Sequence, residues 1–178
     1  MKVYPPLVAV NIVTPDGSYA PHIGHWLEHM QVPHGNIEIK ALCNRDVAIA
    51  HNATLYRCMA RARERGLEWC LLIDNDVQPI CGESDALFTA PFDLTCCKCA
   101  QRTGAAAWAL PNCFHVTMWI ARLTDLERIP QPAFHWITTP DGAKITGCIC
   151  AFFAMQARGV GLSTGHVGWC THVPKTGE

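Results

Sequence analysis

Hydrophobic and polar positions divide the chain into short apolar runs separated by turn chemistry, and the period changes from run to run. Val3 to Val13 is mostly apolar and closes on Thr14-Pro15-Asp16-Gly17, the pattern of a buried strand followed by a turn. His22 to Gln31 predicts a short helix stopped by Pro33 and Gly35. Between Ile37 and Cys43, the residues Ile37, Ile39 and Ala41 alternate with Glu38 and Lys40, which is a strand period. The strongest helix runs from Val47 to Arg65. Asp46 is a favoured N-cap, Gly66 a favoured stop, and Ala48, Leu55, Met59 and Ala62 share one face. Arg57, Arg61, Arg63 and Arg65 fall toward the negative end of its dipole, where a solvated basic surface is expected.

The run from Trp69 to Ile73 is unbroken, short enough for a strand, and ends abruptly in Asp74-Asn75-Asp76. Gly82 to Pro91 predicts a short helix. Asp93 to Cys99, Thr103 to Leu110, Val116 to Ala121, Ile145 to Phe153 and Val167 to Val173 are strand candidates, with a turn at Gly159-Val160-Gly161. Strand, helix, strand, helix, strand at this spacing predicts right-handed βαβ units. The expected architecture is therefore a single α/β domain over residues 1–178. Its Rossmann-like central sheet is mostly parallel but mixed, and is flanked by helices.

Composition narrows the function. Charged residues make up 16% of the chain and apolar ones 49%, which excludes a disordered chain and suits a sheet buried on both faces. A formal net charge of -1 argues against a general nucleic-acid binder, so an anionic ligand must be held locally. The longest stretch without a charged residue lies between Arg102 and Arg122 and contains Gly104, Pro111, Asn112 and His115, too polar and broken to span a membrane. Eleven cysteines, an odd number without regular spacing, fit small buried hydrophobes better than a disulfide scaffold. With no signal-peptide pattern, a cytoplasmic location is expected.

The chemistry concentrates in "EWCLLIDNDVQP", Glu68 to Pro79. A buried strand delivers Asp74 and Asp76 at its C-terminal end, the end where ligands bind open α/β sheets. Extended backbone puts both carboxylates on one side and Asn75 on the other. Two adjacent carboxylates repel unless a cation lies between them, and Mg²⁺ or Mn²⁺ is a fitting hard ion for oxygen ligands. An Asp-x-Asp triplet alone is a common surface turn; its position directly after an apolar strand is what points to a metal.

Three segments together resemble a compact member of the GT-A type of nucleotide-diphosphosugar glycosyltransferase: "VAVNIVTP", "NRDVAIAHNATLYRCMARARERGLEWCLLIDNDV" and "ITGCICAFFAMQARGVG". The resemblance implies a nucleotide-sugar donor held through a divalent cation, Mn²⁺ or Mg²⁺, that bridges Asp76 and Asp74 to the diphosphate. In such folds Asp74 alternatively touches the ribose. It also implies that Thr14, at the end of the opening strand, and Asn52 lie near the nucleotide, and that a C-terminal histidine completes the metal site. His172 is the preferred candidate and His166 the fallback, while Lys175 is a solubilising lysine or, alternatively, a source of positive charge for the diphosphate. The acceptor is not specified.

Two departures from the family pattern matter. Ala50-His51-Asn52 stands where members carry Ala-Arg-Asn, and a histidine is mostly uncharged at neutral pH. Members also usually place an acidic motif before the terminal histidine, yet from Lys144 onward the sole acid is Glu178. No general base for the acceptor is identified. The alternative is a non-catalytic nucleotide-sugar or zinc-binding module on the same fold. For zinc, Cys81, Cys96, Cys97 and Cys99, with Cys113 and His115, offer ligands, although Cys96 and Cys97 would diverge in a strand. Nucleotidyl transfer is disfavoured because "TPDGSYAP" has one glycine and no Lys or Arg.

Overall fold

The computed structural model describes residues 7–41, 46–100, 114 and 116–172, excepting the side chains at 40, 41, 100 and 172. The described residues form nine strands: β1 (Val8–Thr14), β2 (Ile37–Ala41), β3 (Trp69–Asp74), β4 (Val77–Pro79), β5 (Leu94–Ala100), β6 (Met118–Arg122), β7 (Ile137–Thr138), β8 (Ile145–Gly147) and β9 (Thr164–His172). Four α-helices join them: α1 (Pro21–His29), α2 (Val47–Arg65), α3 (Leu123–Leu126) and α4 (Ile149–Gly159). Seven strands form one sheet in the order β2-β1-β3-β6-β5-β9-β4. In that sheet β6 and β4 run antiparallel to the other five strands. This is the mixed, mostly parallel α/β domain that the hydrophobic pattern predicts.

The sheet is buried on both faces, which explains the near-continuous apolar strands. Ala9, Cys70, Leu72 and Trp119 face α2 and α4, while Val10, Leu71, Ile73 and Ile120 face α1. The α2 side is aromatic: Phe134 and Phe153 lie 4.6 Å apart between ring centroids, Trp119 and Phe153 5.0 Å, and Phe114 and Phe153 5.6 Å.

Helix α2 forms as its sequence dictates. The Asp46 side chain accepts from the Ala48 and Ile49 amides, and Gly66 closes the helix at φ 64°, a conformation that favours glycine. Only part of its arginine cluster is the solvated surface expected: Arg63 and Arg65 are exposed, whereas Arg57 and Arg61 are half-buried. Arg61 is only 16% exposed, pairs with Glu38 and donates to Asn11 Oδ1 at 3.3 Å; Arg63 pairs with Glu127 at 2.8 Å. These residues tie α2 to the β1–β2 edge and to α3.

Ile145 to Phe153 is not one strand. Strand β8 stops at Gly147, and Cys148, whose sulfur accepts from the Ala151 amide, starts α4. A short apolar run does not distinguish a strand from a buried helix; the repeat of Ile149, Phe153, Ala154 and Ala157 on one buried face is helical. Gly159 accordingly ends that helix, with Val160 and Gly161 forming the turn. The Gly82 to Pro91 helix shortens to a 3-10 turn, Ser84–Phe88. The strand candidate Thr103 to Leu110, and positions 3–6, 42–43 and 173, lie outside the described residues. In β9, Gly168 (φ 53°) sits at a register shift where the Glu83 carbonyl oxygen would be 1.9 Å from any added Cβ. A glycine is required there.

Candidate functional site

The topology carries the C-terminal ends of β1, β2, β3, β5 and β9 to one edge, together with the start of β4 and the residues leading into β6. Thr14, Asp74, Asp76 and His172 all lie there, and α2 begins beside them with Asn52 in its second turn. At the end of β3 the Asp74 amide donates to Thr117 at 2.7 Å and the Asn75 amide to Val13 at 2.9 Å, so the strand end is pinned on both sides. The chain turns at Asn75-Asp76 rather than staying extended. The two carboxylates are therefore brought into electrostatic contact by a turn, not by strand alternation.

Asp74 is the unusual member of the site. Its side chain is 20% exposed, but Oδ1 is buried and has no hydrogen-bond partner among the described residues. Access therefore remains through the rest of the side chain. Burial, then the negative charge of Asp76, then Cys99, push its carboxyl well above the usual carboxylate range. Facing Oδ1 at 3.6 Å is His51 Nε2. The imidazole is 3% exposed, and burial pushes it down to about 4, so it is neutral at pH 7. Its Nδ1 also lacks a partner, as do Thr117 Oγ1 and Trp119 Nε1. Native interiors hold few such atoms. These four belong to residues grouped around the β3 end: Thr117 accepts from the Asp74 amide, and Phe134 touches both the His51 and Trp119 rings.

The other predicted residues are placed as follows. The Thr14 hydroxyl donates to Ser18 O at 2.7 Å and accepts from the Gly17 amide at 3.1 Å, so it shapes the turn after β1. The Asn52 amide is committed to main chain: it donates to Phe134 O at 2.7 Å and to Ala48 O at 2.9 Å, and accepts from the Phe134 amide at 3.0 Å. Both side chains build the walls of the edge. His172 pairs in register with Val77, next to Asp76, which places its backbone beside the carboxylates. His166 pairs with Cys96, six residues and about 20 Å further down β9. Lys175, Cys113 and His115 lie outside the described residues.

The proposed zinc ligands do not converge. Cys96 faces the α2 side of the sheet, Cys97 and Cys99 the α1 side, and Cys81 is exposed. Among the described residues no group of three His, Cys, Asp or Glu side chains is arranged to hold a metal. The His172 side chain is not among those described. Asp74 fits a cation nonetheless: an open carboxylate with an unpartnered oxygen and a like charge beside it is the donor chemistry a hard divalent ion satisfies.

Sequence reasoning missed His51 as part of the site. The signal was present, since Ala48, His51, Leu55 and Met59 repeat on the buried face of α2. A polar residue in that series, one turn in from the ligand edge, marks the site.

No protein-family model matches the chain. No curated protein matches it in sequence. Among solved structures it is similar to A197 from STIV, with a TM-score of 0.58 and 15% identity, covering 94% of this chain and 82% of that one. At that identity the likeness is one of fold. Among the described residues no helix is long and apolar enough to cross a membrane.

Proposed function

We propose that the protein is a metal-dependent glycosyltransferase that takes its donor as a nucleotide-diphosphate sugar at the edge where β3 ends. The observation that carries this reading is the Asp74–Asp76 pair, with a buried Asp74 oxygen that has no partner among the described residues and a carboxyl whose ionisation burial, and then the second acid, oppose. Asp74 and Asp76 would hold Mn²⁺ or Mg²⁺, with His172 as a further ligand. An ion held there would supply stabilisation of the negative charge that develops on the departing diphosphate. The chain's own residues do the rest. The Thr14 hydroxyl fixes the turn after β1, Asn52 holds the 134 backbone against α2, and the strand end stays rigid through its pairing with Thr117 and Val13. The acceptor remains unassigned.

One observation favours donor binding without transfer. No carboxylate occurs between Lys144 and Gly177 to serve as acceptor base. A panel of nucleotide sugars, each with Mn²⁺ or EDTA, separates the two readings. Glycosyl transfer predicts Mn²⁺-dependent thermal stabilisation by one donor and slow release of its nucleoside diphosphate, both abolished in Asp76→Ala. Stabilisation without release would establish the binding module, and no metal uptake would overturn both.

A further inference from the structure

We infer that His51 is a positioning residue for Asp74, holding one carboxyl oxygen inward so that the rest of the carboxylate is presented to a cation at the sheet edge. The inference rests on the reading of Asp74 and Asp76 as cation ligands. It adds a residue that neither the strand motif nor the fold assigns.

Three observations carry it. The first is reach. His51 Nε2 is, among the described residues, the one basic nitrogen within 4.0 Å of the Asp74 carboxylate, at 3.6 Å from Oδ1. The second is rigidity. The ring sits against Phe134 at 5.3 Å between centroids, and the neighbouring Asn52 grips the Phe134 amide and carbonyl together. The imidazole is thereby fixed from Asn52 through Phe134 to His51, and on to Asp74. Ligating carboxylates are themselves commonly oriented by hydrogen bonds, and at 3.6 Å the His51 nitrogen stands just outside hydrogen-bond distance from Oδ1.

The third is the unmet hydrogen-bonding capacity. A histidine kept for packing would have its nitrogens satisfied, whereas here Nδ1 and the facing Oδ1 are both buried without partners. A neutral imidazole has one N–H. With that proton on Nε2, it faces Asp74 Oδ1 across 3.6 Å. A leucine of similar bulk would fill the space without leaving polar atoms unpaired. The histidine therefore sacrifices stability in the metal-free protein for a donor at this one point.

The test measures Mn²⁺ affinity of the full chain from the free-ion electron paramagnetic resonance signal, and thermal midpoints in EDTA. Glutamine places its amide nitrogen near the Nε2 position, asparagine near Nδ1. His51→Leu and His51→Asn are expected to weaken Mn²⁺ binding by roughly 10–100-fold, with His51→Gln restoring most of it. In EDTA, His51→Leu should melt at or above the unsubstituted protein. Unchanged Mn²⁺ affinity in His51→Leu overturns the positioning role while leaving the metal reading intact. So does an equal loss in the Gln and Asn variants, which decides the matter even if the Leu variant fails to fold. If the unsubstituted protein takes up no Mn²⁺, or Asp76→Asn binds it equally well, the metal reading itself falls and the role of His51 with it.

Discussion

Two aspartates, one on each face of the sheet, have a histidine at nearly the same distance and do opposite things with it. On the α1 face, Asp85 Oδ2 lies 3.7 Å from His29 Nε2, and Oδ1 accepts from the Trp26 indole at 3.0 Å. His29 is 45% exposed. On the α2 face, Asp74 Oδ1 lies 3.6 Å from His51 Nε2 and has no hydrogen-bond partner among the described residues, and the histidine is the buried partner. Asp85 thus locks the Ser84–Phe88 turn onto α1, spending its capacity on the fold. Asp74 keeps its capacity unspent beside an open edge. The separation of acid and imidazole does not tell a structural pair from a binding site; the hydrogen-bonding capacity left over does.

That contrast breaks most visibly in stability. Asp85→Ala strands the buried Trp26 N–H and is expected to lower the unfolding free energy by about 1–3 kcal/mol. Asp74→Asn, measured without metal, should raise it by ~0.5–2 kcal/mol, since binding sites are held at the expense of stability. Urea unfolding of the two variants side by side checks the opposite signs, and a destabilised Asp74→Asn would erase the distinction. Asn52→Ala comes next. It removes both main-chain bonds to Phe134 and should lose about 1–2 kcal/mol. It should also weaken Mn²⁺ binding, which an isolated packing defect would not do. Against these, His29→Gln at the exposed end of the Asp85 pair should shift the unfolding midpoint by no more than ~0.5 kcal/mol.

The smallest effect sharpens the comparison with a third aspartate. Asp46, at the same edge as Asp74, is fully engaged: it accepts from Trp136 Nε1 at 2.9 Å and caps α2. The Trp136 hydrogen bond first, then the Ala48 and Ile49 amides and the charge of His135, hold its carboxyl below the usual 3.8. A carboxyl depressed in the folded state contributes stability at pH values above 3.8, and that contribution is lost as pH falls through the depressed value. The lower melting temperature expected of Asp46→Ala should therefore be full at neutral pH and disappear in acid. Melting curves across that range check it.

Much of this was legible along the chain. Asp46 and Gly66 bound α2 because cap and stop are local chemistry, satisfied by the nearest amides and by a backbone angle that favours glycine. The run before Asp74 announced β3 because a strand buried on both faces has no room for polar residues. Where the sequence misled, the missing information was long-range. Ile145 to Phe153 is apolar whether it folds as strand or helix, and the choice fell to a helix because its Ile149, Phe153 and Ala157 face packs into the aromatic layer. Two of the α2 arginines, Arg57 and Arg61, looked solvated until Glu38 of the edge strand β2 was brought beside them.

The candidate site divides in the same way. Local sequence alone determined that two acids follow a buried strand, and that a capped helix precedes it. Only the tertiary structure decided that the β3 end faces His51, that Asn52 spends its amide on Phe134, and that His172 pairs beside Asp76 through Val77. The physical reason is that capping and burial patterns are set by neighbours within a few residues. Whether a polar atom stays paired depends on which distant segments the assembled sheet carries to its edge.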